Sequence, residues 1–379
     1  MTVAVQLFSG LGAGNIGDEL MTRGFWRSIP KSLQLEVVLA RESVRYRGEY
    51  PPPHSYVVDR TRWRNRRLPR LIVGTTPVSE QLGLGFPLNH LARIVAPLHR
   101  RGIPVDAVGV GVEPLESSGA RALFADHLLP LRSWSVRSEA CRTALEALGV
   151  APERIRVGAD WAWAFRGARD ESSWAAQQWR ALGVTAERRL LVVNVVNEGR
   201  GDRDRVRRGM ATALDQAAER WDAQIAFLCH ESRDGAFYDH AAAQETARLM
   251  RHSAVIVPNL YYTPDETLAL LRAASATVGE RFHFAIASVL AGVPPILVRR
   301  GPKTSALADE TGIQLVGSPG VGDPGELEAA LASVLDDRPR WTKLLTEVRS
   351  TMEARTANNL SLIAHLAPYD ALLAPHAPL

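Results

Sequence analysis

Short apolar runs rich in valine, isoleucine and leucine alternate with amphipathic stretches along the whole chain. They predict strands over 3–8, 35–39, 71–74, 104–110, 133–137 and 155–158, and a second series over 190–196, 224–229, 254–257, 276–280, 294–298 and 313–316. Runs this continuous are expected of strands buried on both faces, and their alternation with helical stretches predicts parallel sheets covered by helices. A polar, helical stretch near 167–188 separates the two series. The predicted fold class is therefore α/β, with two doubly wound Rossmann-like domains facing a cleft. The expected organisation is a first domain over 1–166, a linker region over 167–188, a second domain over 189–340 and a C-terminal helical segment over 341–379 that packs across both. Helix signals agree with it. Thr263, Pro264 and Glu266 spell an N-cap, a proline at the first helical position and a capping box, and the helix after Glu139 stops at Gly149.

Composition narrows the class. With 46% hydrophobic and 23% charged residues, the 379-residue chain has ample material for two cores. Its two cysteines, Cys141 and Cys229, are far apart, which argues against a disulfide framework or a thiolate metal site and suits a cytoplasmic location. Val3–Phe8 reads as a first strand and not as a signal peptide, and the longest uncharged stretch, 283–298, is broken by Gly292, Pro294 and Pro295 and predicts no transmembrane helix. A net charge of +4 does not by itself imply nucleic acid as a partner. One segment is locally basic: Arg60, Arg62, Arg64, Arg66, Arg67 and Arg70 crowd around Trp63. It reads as a solvated loop or, more sharply, as a peripheral contact with an anionic acceptor or a membrane surface carrying one.

In open α/β sheets ligands gather outside the carboxyl ends of the strands, so the residues just after each strand carry the chemistry. After the first strand, Gly12, Gly14 and Gly17 satisfy G-x-G-x-x-G. A dinucleotide is nonetheless disfavoured. Asp18 and Glu19 at the following helix start would repel a pyrophosphate, and no acidic residue is cleanly placed at the end of the second strand. Those two carboxylates are read either as helix caps or as a base for an acceptor hydroxyl. The strongest local signal is the strand at 276–280 followed by Arg281, Phe282 and His283, which open an apolar helix. Backbone N–H groups at such a start favour an anion, Arg281 adds a forked cation, and His283 is suited to proton transfer near neutral pH. Arg137 and Lys303 also follow strands, as do His230 and Glu231.

Taken in order, these segments resemble the polysaccharide pyruvyl transferase family. Gly14, Asn15, Gly17, Asp18 and Glu19 look like its G-N-x-G-D-E loop, and Ser135, Arg137 and Glu139 look like its S-x-R-[DE]-E segment, with Ser138 where an acid is common. Arg281 and His283, followed by Ala291, Gly292 and Pro294, look like its R-x-H…A-G-x-P signature, while Asp160 and Lys303 resemble its aspartate and downstream lysine. The chain departs from the family at Gly74, Thr75 and Thr76, where a glycine triplet is frequent. The resemblance implies a glycosyltransferase-B-like arrangement, phosphoenolpyruvate as donor, a sugar acceptor, pyruvate-ketal formation, no cofactor and no metal. Arg137, Arg281, His283 and Lys303 are then expected on the donor, and Asn15, Gly17, Gly74, Thr75 and Thr76 around the acceptor; His230, from its place after a strand alone, is a further candidate donor contact. His283 is expected as proton donor, and Asp18 or Glu19 as base. Two other readings fit the same fold: a glycosyltransferase using a nucleotide sugar, with Glu266 as a mimic of a ribose-gripping acid, and a non-catalytic sugar- or anion-binding protein.

Overall fold

The computed structural model describes residues 2–7, 14–29, 34–38, 70–80, 83, 86–167, 169–197, 202–233, 235, 238–322 and 325–364. Gly12 and the arginines from Arg60 to Arg67 lie outside these residues. The chain divides into two compact units, one comprising Met1–Ala13, Met21–Phe165 and Thr351–Leu379, the other Gly14–Leu20 and Arg166–Ser350.

In the first unit, β1 (Thr2–Leu7), β2 (Gln34–Val38), β3 (Arg70–Val73), β4 (Val105–Val110), β5 (Ser133–Val136) and β6 (Ile155–Val157) form one sheet in the order β2-β1-β3-β4-β5-β6. Every pairing in it is parallel. Every residue of β3 and β4 is buried, which is why their sequences are apolar apart from Arg70 and Asp106. Helices α1 (Ile16–Ser28), α2 (Leu88–His99), α3 (Ser118–His127) and α4 (Glu139–Ala147) alternate with the strands, and α1 belongs to this unit from Met21 onward. Leu91, Val95, Phe124, Trp134 and Leu145 fill the core, with Phe124 stacked on Trp134 at 5.9 Å between ring centroids. Arg70, grouped in sequence with the basic segment, opens β3 and is buried. The sheet claims it, so it is not part of a solvated basic surface.

The second unit repeats the plan. β7 (Arg189–Asn194), β8 (Ala223–Phe227), β9 (Ala254–Ile256), β10 (Ala276–Gly279), β11 (Pro295–Val298) and β12 (Gln314–Val316) form a parallel sheet in the order β12-β11-β10-β7-β8-β9. Its helices are α5 (Ser172–Ala181), α6 (Arg203–Trp221), α7 (Asp239–Leu249), α8 (Pro264–Arg272), α9 (Phe282–Ala291), α10 (Pro302–Thr311) and α11 (Gly325–Asp336), followed by α12 (Arg338–Ala364). The stretch predicted as a linker is a working part of this unit. Within it α5 buries Trp179, whose indole N–H donates to the Leu270 carbonyl of α8 at 3.1 Å. Each sheet reverses its winding once, between β1 and β3 and between β7 and β10, and the carboxyl ends at such a reversal are where ligands bind in this architecture.

From Thr351, α12 belongs to the first unit, and Asn359 is its anchor. This fully buried amide accepts from the Ser135 hydroxyl and donates to the Ala159 carbonyl at 2.8 Å. Gly158 permits the approach: a Cβ there would lie 2.8 Å from the Asn359 Cγ and overlap its Oδ1. Gly158→Ala is therefore expected to destabilise the chain by about 1–3 kcal/mol, measurable by denaturant unfolding, because the overlap strains the anchor. Among the described residues no helix is long and apolar enough to cross a membrane.

Candidate active site

The reversal between β7 and β10 sets the geometry of the second unit's site. β10 runs out at Gly279, and Arg281 is the N-cap residue of α9, its own side chain turned to other partners and not capping that helix. The N-terminus of α9, with its helix dipole, favours a negative charge. The Arg281 guanidinium is clamped by Asp239, the first residue of α7, with Nε donating to the two carboxylate oxygens at 2.9 and 3.1 Å and Nη2 donating at 2.6 Å. Asp239 is 1% exposed and also accepts from the Asn194 side-chain amide at 2.9 Å and from the backbone N–H groups of His230 (2.9 Å) and Glu231 (3.2 Å). One buried carboxylate thus ties the ends of β7, β8 and β10 to a single arginine. A buried ion pair of this kind holds its place only when the remaining lone pairs are satisfied, as they are here. Beside it, Glu280 accepts from Arg207 of α6 at 2.9 and 3.1 Å and from the Val196 N–H at 2.9 Å, fixing the backbone that leads into Arg281.

Gly14, Asn15 and the first turn of α1 also belong to this unit. Asn15 caps α1, its Oδ1 accepting from Gly17 N–H at 2.9 Å and Asp18 N–H at 3.3 Å. It forms an isolated bridge to Glu231, framed by Ile16 N–H donating to the His230 carbonyl (3.0 Å) and Ser232 N–H donating to the Gly14 carbonyl (2.9 Å). Gly17 rests against His283, where a Cβ would lie 2.6 Å from the ring Cγ and 2.7 Å from the His283 Cβ. No residue but glycine fits there. The edge of the imidazole carrying Nδ1 is the one against Gly17. Asp18 is half-buried, whereas Glu19 is fully buried. Glu231, a candidate in sequence, is committed to Arg233, which donates to it at 2.8 and 2.6 Å. Lys303 is half-buried in the first turn of α10, after β11.

Of the sequence-predicted residues, Asn15, Gly17, Asp18, Glu19, His230, Arg281, His283 and Lys303 lie in the second unit, and Gly74, Thr75, Thr76 and Arg137 in the first. In the first unit, Arg137 is 6% exposed and donates from Nη1 to Asp160 at 3.3 Å and from Nη2 to the Thr76 hydroxyl at 2.9 Å. Asp160 uses its other oxygen to cap the helical turn at 161–164, accepting from Ala162 N–H at 3.0 Å. The Thr75 carbonyl accepts from Gly111 N–H at 2.7 Å, and the Thr75 N–H donates to Met21 Sδ at 3.0 Å. Thr75 stands at φ +46°, a left-handed conformation that a β-branched residue rarely adopts and that carries backbone strain. Thr75→Gly is expected to leave stability unchanged or raise it by up to about 1 kcal/mol, since relief of the strain outweighs the added chain entropy. A melting temperature that falls would contradict this.

Asp239, Asn194, Glu280 and Arg207 were not singled out in sequence. An acidic residue opening a helix, as Asp239 does, carries no mark beyond that of ordinary dipole complementation.

Two doubly wound parallel sheets with a charged constellation at a winding reversal place the chain among glycosyltransferase-B-like proteins. HepE of Anabaena, solved in complex with UDP and glucose, is 12% identical over 97% of this chain and 99% of its own, with a TM-score of 0.62. The UDP-GlcNAc 2-epimerase from Neisseria meningitidis, bound to UDP-GlcNAc, is 8% identical over 96% and 100%, with a TM-score of 0.59. A glycosyltransferase from Rickettsia africae is 10% identical over 98% of each chain, with a TM-score of 0.57. At these identities the likeness is one of fold. No curated protein matches the chain in sequence. The family model for polysaccharide pyruvyl transferase, however, matches residues 15–302, and the chain belongs to that family.

Proposed function

We propose that the protein transfers the pyruvyl group of phosphoenolpyruvate to a sugar diol, forming a pyruvate ketal and releasing phosphate. Membership of the family supports transfer to a polysaccharide or related saccharide. The observation that carries the donor assignment is the N-terminus of α9, which Arg281, clamped by Asp239, and His283 flank. Such a site suits a compact polyanion. Arg281, held rigid by Asp239, and Lys303 supply cationic partners. His283 gives a proton to the methylene carbon, so that C2 becomes electrophilic and the carbon becomes a methyl group. One acceptor hydroxyl adds to C2, its proton passing to Asp18. Asp18 is preferred to Glu19 because Glu19 is sealed in the interior. The bond from C2 to the phosphate oxygen then breaks, the second hydroxyl closes the ring, and its proton leaves with phosphate.

The nucleotide-sugar reading is less well supported. The Glu266 carboxylate accepts from its own helix cap, Thr263 N–H, at 2.7 Å, and the Thr263 hydroxyl accepts from Glu266 N–H at 3.2 Å, which commits that acid to a capping box. The test of the proposed reaction is phosphate release from phosphoenolpyruvate across a panel of saccharides carrying vicinal or 4,6-diols, with the product examined by mass spectrometry. A saccharide heavier by one pyruvyl ketal is expected. Release of phosphate without a modified saccharide, or none at all across the panel, would count against it.

A further inference from the structure

His230 follows β8 and is 1% exposed, yet neither of its ring nitrogens has a hydrogen-bond partner among the described residues. A neutral imidazole carries one N–H donor and one acceptor lone pair, and groups of this kind are rarely left unmet in a protein interior. The rest of the residue is fully engaged. Its N–H donates to Asp239 at 2.9 Å, and its carbonyl accepts from Ile16 N–H at 3.0 Å. The ring is thus fixed by its main chain and by Phe284, which it meets edge-on at 5.9 Å between centroids. Burial first, and then the nearby His283 and Arg281, hold His230 well below the usual histidine range. The residue remains neutral beside the Arg281 guanidinium, so it adds a directional N–H without adding a further cation.

Tolerating two unmet polar atoms in a well-packed interior has a cost that a purely structural residue would avoid, since an apolar side chain of similar size would fill the same space. The same residue shares Asp239 with Arg281, so its position is set by the carboxylate that sets the guanidinium. We infer that His230 is a binding residue of this site, whose imidazole donates a hydrogen bond to an anionic oxygen, carboxylate or phosphate, of the ligand held by Arg281. The inference rests on the anion site described under the proposed function, but not on ketal chemistry.

The test compares His230→Leu with the conservative His230→Gln and His230→Asn, each of which keeps one amide donor. Phosphoenolpyruvate, inorganic phosphate and pyruvate are titrated by calorimetry, and each protein is melted alone. Replacing the imidazole by leucine is expected to leave the melting temperature unchanged or raise it, while weakening phosphoenolpyruvate binding roughly ten- to a hundredfold, the range for a hydrogen bond to a charged group. At least one amide variant is expected to recover most of that loss. Weakening confined to phosphate would assign the contact to a phosphate oxygen, and weakening confined to pyruvate to the carboxylate. Unchanged affinity in His230→Leu, or a lowered melting temperature in all three variants with affinity intact, would overturn the inference and make His230 structural. Should wild type bind phosphate but not phosphoenolpyruvate, the comparison is read on phosphate, and pyruvyl transfer alone fails.

Discussion

Replacing His283 by alanine is expected to lower turnover by about 10²–10⁴-fold, the range for loss of a positioned proton donor, while phosphoenolpyruvate affinity and melting temperature stay near those of wild type. The side chain lies in the first turn of α9, half-buried, where alanine suits the helix and leaves no large cavity. Arg281, to which the proposed reaction assigns the anion, is clamped by Asp239 and not by the imidazole. A loss confined to turnover is therefore the signature of chemistry rather than of binding. Gly17→Ala is expected to move turnover in the same direction, because its new Cβ would displace the ring from the loop that fixes it. Steady-state phosphate release, set beside calorimetric binding of the donor, makes both comparisons. Retained turnover in His283→Ala would remove the histidine from the mechanism.

The largest expected effect on stability is at Asp239. Asp239→Ala leaves a guanidinium with little solvent contact, the Asn194 amide and two backbone N–H groups without the carboxylate that satisfies them. Removing one partner of a buried pair costs about 3–5 kcal/mol, because the remaining charge stays desolvated. Denaturant unfolding is expected to show a loss of that size, and donor binding is expected to weaken with it as Arg281 leaves its place. Arg281→Ala should act differently. The Asp239 carboxylate keeps its three N–H donors, so stability falls less, whereas the site loses its forked cation and donor binding falls more. Equal losses of stability in the two variants would mean that Asp239 does not organise the site.

Much of this fold is written in local pattern. Each of the twelve predicted strands is present, with ends within about two residues, because short runs rich in Val, Ile and Leu need no tertiary information to be seen. The turn from β10 into α9 was legible for a similar reason: Arg281 and His283 interrupt an otherwise apolar strand and helix. What the pattern could not show depends on pairing across the chain. Asn15 and Glu231 are 216 residues apart, and nothing near Asn15 says that its loop folds with the second unit rather than the first. Asp239 is 42 residues from the arginine it clamps and looks locally like any acid at a helix start. The polar stretch before β7 read as a linker because Trp174 and Trp179 are too few to signal a buried face, yet Trp179 is buried and bonded to α8. Thr75 shows the converse. Its departure from glycine was visible, but the left-handed backbone that makes it costly was not.

The most direct measurement is a calorimetric titration of the purified protein with phosphoenolpyruvate, beside uridine and guanosine diphosphate sugars, repeated with Arg281→Ala. Pyruvyl transfer predicts saturable binding of phosphoenolpyruvate alone, abolished in the variant. Binding of a nucleotide sugar in its place, or phosphoenolpyruvate binding that survives loss of Arg281, would contradict it.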